Sequence, residues 1–64
     1  MTPDFRSVFA VWATGVGLSI GEAEARLAGS DGLAEAKVRY ADGCTEHVAR
    51  ILLDNALMDA TYRK

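Results

Sequence analysis

Disulfide bonding within the chain is excluded at once, because Cys44 is the only cysteine in 64 residues. A domain this small hides only about 60% of its unfolded surface, so it is marginal without a staple or an oligomer. An unpaired thiol suits a reducing compartment. The opening Met1-Thr2-Pro3-Asp4 has no basic stretch and no small-residue cleavage site after it, so no signal peptide is expected and the expected location is cytoplasmic. Long hydrophobic runs are missing too. The longest uncharged run covers residues 7–21, holds Gly15 and Gly17, and falls short of the about 20 residues a membrane helix needs. Positive charge is scarce: Lys and Arg number 7 against 9 Asp and Glu. Both excess negative charges fall in residues 22–50. This mixed, slightly acidic surface lacks the basic stripe of a protein that tracks phosphates, so neither nucleic acid nor a membrane is the expected partner. There is no repeat, low-complexity tract or linker, and half the residues are hydrophobic, which argues against disorder. One domain, residues 1–64, is expected.

What is present is a solid apolar block, Val8-Phe9-Ala10-Val11-Trp12-Ala13. At helical spacing six consecutive residues point in every direction. A helix that is apolar all round is buried all round. Thr2 is placed to cap this helix, Pro3 suits its first position and Asp4 its positive end. Phe5, Val8, Phe9, Trp12 and Val16 form its inner stripe, and the helix is expected to end near Thr14. The rest of the chain offers too little to cover what remains. The expected interface with a protein partner or a second copy is therefore Val8, Val11, Trp12 and Ala13.

Ser19 and Glu22 have capping-box spacing, with Leu18 and Ala23 as a hydrophobic staple, and predict a short helix over residues 20–28. Its inner face is Ile20, Ala23 and Leu27, and residues 29–32 read as a turn. Residues 34–40 alternate apolar and polar, the pattern of a half-buried strand. A three-residue loop over residues 41–43, with Gly43 in the left-handed position, would then make a β-hairpin pairing Tyr40 with Cys44, with Ala36, Val38, Tyr40, Cys44 and Val48 on one face. A two-residue Asp42-Gly43 turn, facing Val38 with His47 and Arg39 with Glu46, is the less favoured register. The competing reading is helix throughout, with Gly43 after a helix end and Thr45 capping the next. A final helix over residues 49–62 buries Ala49, Leu52, Leu53, Ala56, Leu57 and Ala60, with Ile51 and Met58 beside them. Arg63 and Lys64 suit its negative end. The expected fold is thus α+β: two N-terminal helices, a β-hairpin and a C-terminal helix. The alternative is all-α with four short helices.

No constellation for chemistry stands out. Cys44 and His47 have the spacing C-x-x-H, but zinc needs four ligands and there is no other Cys or His. A second chain, or Asp42 and Glu46, would have to complete the set. On a strand Cys44 and His47, three apart, face opposite sides, which disfavours a nucleophilic pair, whereas on a helix they could meet. Glu22 and Glu24 diverge on a helix, and Asp54 and Asp59 read as solvated. Gly15-x-Gly17 follows a helix, unlike a phosphate loop. No metal, cofactor or catalytic residue is expected, and the chain does not read as an enzyme.

Two local likenesses bear on function. Residues 17–29 resemble the first helix and turn of helix-turn-helix proteins, with small Ala25 and Gly29 in place. That likeness implies a DNA reader using Lys37 and Arg39, but it would bury Glu24 and Glu35 and puts Ser30 where an aliphatic residue is usual. Phe5-Arg6 followed by Trp12-Ala13-Thr14-Gly15-Val16 resembles the opening helix of the flavin reductase-like split-barrel family. The strands and flavin-contacting segment expected after it are missing, so no flavin site is carried over. The sequence therefore reads as a small non-catalytic interaction module, a regulator, adaptor or inhibitor that docks onto a protein as a homodimer. A DNA-binding regulator is the second reading and a structural subunit of an assembly the third.

Overall fold

The computed structural model describes residues 3–62. It contains four helices, α1 (Phe5–Gly15), α2 (Ile20–Leu27), α3 (Asp31–Ala41) and α4 (Glu46–Tyr62), and no strand among the described residues. The α+β expectation is overturned, and the all-α alternative describes the chain. The cap predicted at Thr2 and the dipole-facing charges predicted at Arg63 and Lys64 lie outside the described residues.

The helix starts follow local chemistry. Asp4 caps α1, its Oδ1 accepting from the Ser7 amide at 3.0 Å. Ser19 and Glu22 form the predicted capping box of α2. Ser30 Oγ accepts from the Gly32 amide and opens α3. Thr45 Oγ1 accepts from the Val48 amide, so α4 begins at Glu46, three residues before the predicted start.

The hairpin fails at its turn. Gly43 has φ of 105°, the positive value the hairpin also required. Here it ends a helix instead. The Cys44 amide donates to Arg39 O and the Gly43 amide to Tyr40 O, both at 3.1 Å. That pair of bonds satisfies the last carbonyls of α3 in a Schellman motif. In the helix, Ala36 is fully buried, Leu33 and Tyr40 are half-buried, and Val38 turns outward. Most of the alternating residues are Ala, Glu, Lys and Arg, which favour helix.

α4 is the spine, and the other three helices all pack on it, α3 most extensively. The core is rich in alanine: Ala13, Ala23, Ala36 and Ala49 are fully buried, and Leu27 and Leu53 are the largest side chains wholly hidden. Small residues let the helices approach closely. At Gly32 an added Cβ would overlap Ala56 Cβ and lie 3.1 Å from its Cα. Phe5, Phe9 and Trp12 stack in sequence along α1, and Phe5 also meets Tyr40 at 6.1 Å between ring centroids. The Tyr40 hydroxyl donates to Pro3 O and ties the entry of α1 to α3. No helix among the described residues is long and apolar enough to cross a membrane.

Candidate protein-docking face

α4 carries two apolar faces. Toward the core it presents Ala49, Leu53 and Ala56. Roughly on the other side, at 100° per residue, lie Val48, Ile51, Asn55, Met58 and Tyr62. All five are exposed. Val48 is 40% exposed, Ile51 44%, Met58 57% and Tyr62 80%. Their spacing alternates three and four, the a and d positions of a heptad. The stripe runs about 21 Å along the helix at 1.5 Å per residue. It bears no charge; His47, Asp54 and Asp59 lie to its sides.

The four residues expected to form the interface divide differently. Val8, Trp12 and Ala13 are buried inside the chain, and Val11 alone lies on the surface. The all-round burial expected of α1 is not needed, because Ala10 is half-buried and Val11 is the main apolar side chain left outside. Trp12 is held inward by its indole Nε1–H, which donates to Asp54 Oδ1 at 2.7 Å. Asp54, expected to be solvated, thus joins α4 to α1. Beside Val11, a recess of about 70 Å³ reaches Glu46 and Arg50, too small for a ligand of ordinary size.

The outer stripe of α4 escaped the sequence reading although its spacing was visible. Placing residues 44–48 in a strand removed Val48 from the helix. Ile51 and Met58 were then counted as flanks of the core face.

The other candidates stay apart from this face. Cys44 is half-buried in the link between α3 and α4, and His47 is exposed on the first turn of α4. No group of three or more His, Cys, Asp or Glu among the described residues is placed to hold a metal ion. An open groove of about 280 Å³ between α1, α2 and α3 is lined by Phe9, Ile20 and Leu33 together with Arg6, Glu24 and Lys37. It falls just below the usual range for small-molecule sites.

The helix-turn-helix likeness gains two helices where it needs them, α2 and α3. They make little contact with each other. Glu24 and Glu35, which such a motif would bury, are both exposed. Arg39 is paired with Glu35 at 3.4 Å, and Lys37 is the cation of the supposed reading helix with no ion pair among the described residues. For the split-barrel likeness, α1 supplies a helix but no strand follows among the described residues. Compared with known proteins, the chain matches no family model, no curated protein and no solved structure.

Proposed function

We propose that this chain is a non-catalytic protein-interaction module that docks through the outer face of α4. A single observation carries the reading. Four apolar side chains, Val48, Ile51, Met58 and Tyr62, stand exposed in one heptad-spaced row on a helix whose opposite face already serves the core. Scattered exposed hydrophobics are ordinary, but four aligned on one helix face, interrupted only by the uncharged Asn55, suit a contact surface. Its spacing suits the apolar face of another helix. Regulator, adaptor and inhibitor all work through such a surface.

The test is capture from the native host with the wild-type chain and with Met58→Glu, followed by rebinding of the purified partner. The reading expects a stoichiometric partner held by the wild type and released by the substitution. A partner held equally by both would place docking elsewhere.

A further inference from the structure

We infer that the outer stripe of α4 is covered by the same stripe of a second copy of this chain. This rests on the docking reading above and names the occupant. Asn55 is the argument. It lies at the centre of the row, with Val48 and Ile51 before it and Met58 and Tyr62 after it. A carboxamide closed off among apolar side chains must find both a donor and an acceptor at the same level. A purely apolar partner helix supplies neither. A second copy related by a two-fold axis passing beside Asn55 supplies both, because each amide meets its own symmetry mate.

The row then pairs apolar residues with apolar residues on either side of that axis. No charged group lies within the row itself, and Asp54, which flanks Asn55, accepts from the Trp12 indole on the side away from the row. A lone Asn at a seam position fixes register and oligomer state at some cost in affinity. Each stripe is one narrow helix face with Val48 and Ile51 only partly exposed, so the contact lies at the small end of specific interfaces, which total about 1,200 Å² or more. The pair is therefore a reversible dimer, and its formation shields the apolar row of a domain with a thin, alanine-rich core.

Sedimentation equilibrium from micromolar to millimolar concentration tests this on the wild type, Met58→Glu and Asn55→Leu, with circular dichroism confirming helix content. The wild type should pass from one chain mass to two as concentration rises. Met58→Glu should weaken association at least about tenfold, and Asn55→Leu should tighten it by about the same factor or admit higher oligomers. If Met58→Glu loses its helices, Ile51→Lys replaces it. A wild type that stays monomeric throughout, or a dimer indifferent to both substitutions, overturns the inference. A monomeric wild type that still loses a purified protein partner on Met58→Glu overturns the second copy and leaves the docking reading standing.

Discussion

The indole of Trp12 donates to the carboxylate of Asp54 across 42 positions of sequence, at 2.7 Å. Trp12 is 4% exposed, so its N–H has lost water and depends on that oxygen. The bond joins α1 to α4. Trp12 is packed inward with Val8, Phe9 and Ala13, and Val11 is the outward residue of the apolar block.

Asp54→Ala should therefore destabilise the fold by about 1–3 kcal/mol, the cost of leaving a buried donor unmet. Urea unfolding measures it. Trp12→Phe combined with Asp54→Ala should lose less than the two single changes added together, since the second change then strands nothing. Strict additivity would show that the bond contributes nothing in solution.

Two glycines should respond with opposite sign. Gly21 lies in α2 with open space around its Cα, so Gly21→Ala should stabilise by about 0.5 kcal/mol through helix propensity. Gly32 faces Ala56, and Gly32→Ala should destabilise by about 1–3 kcal/mol through overpacking despite the same gain in propensity. Ala56→Gly should recover part of that loss. Thermal melts of the three variants decide it.

The Asp4 cap predicts a pH effect. The hydrogen bond from the Ser7 amide holds the Asp4 carboxyl below its ordinary value of 3.8. The native state thus favours the ionised form. Its contribution is complete above the unfolded value and is lost as pH falls through the lower native one. Acid titration of stability should show this loss, and Asp4→Asn, which keeps an acceptor at the cap, should flatten that part of the curve. An unchanged acid limb in Asp4→Asn would remove Asp4 as its source.

Local signals were legible in the sequence, and signals shared by two structures were not. The Ser19–Glu22 box and the Val8, Phe9, Trp12 stripe each depend on residues within two turns of helix, and both were found. Ala23, Leu27, Ala49, Leu53 and Ala56 were also found as core. Residues 34–48 misled because Asp42-Gly43 supplies the same positive φ to a hairpin and to a Schellman motif. The alternating alanines at 34 and 36 fit either a strand face or a helix. What separates the two is tertiary: Gly32 lets α3 lie directly on Ala56 of α4, a contact 24 positions apart that no local spacing displays. The docking face was lost with the same stretch, since Val48 belongs to the heptad row only once α4 begins at Glu46. Val8 and Trp12 were read both as the inner stripe and as interface, and Ala13 as interface, because the extent to which α4 and the Asp54 bond bury them could not be read from α1 itself.

The most direct measurement of the docking face is the methyl resonance of Met58, one of two methionines in the chain. Its ¹³C–¹H shift can be followed from dilute to concentrated protein, and Met58→Leu assigns it. If the outer stripe of α4 is a contact surface closed by a second copy, the resonance moves with concentration, saturates, and stops moving in Ile51→Glu. A resonance that holds its solvent-exposed position at every concentration and with every protein partner offered would contradict the account.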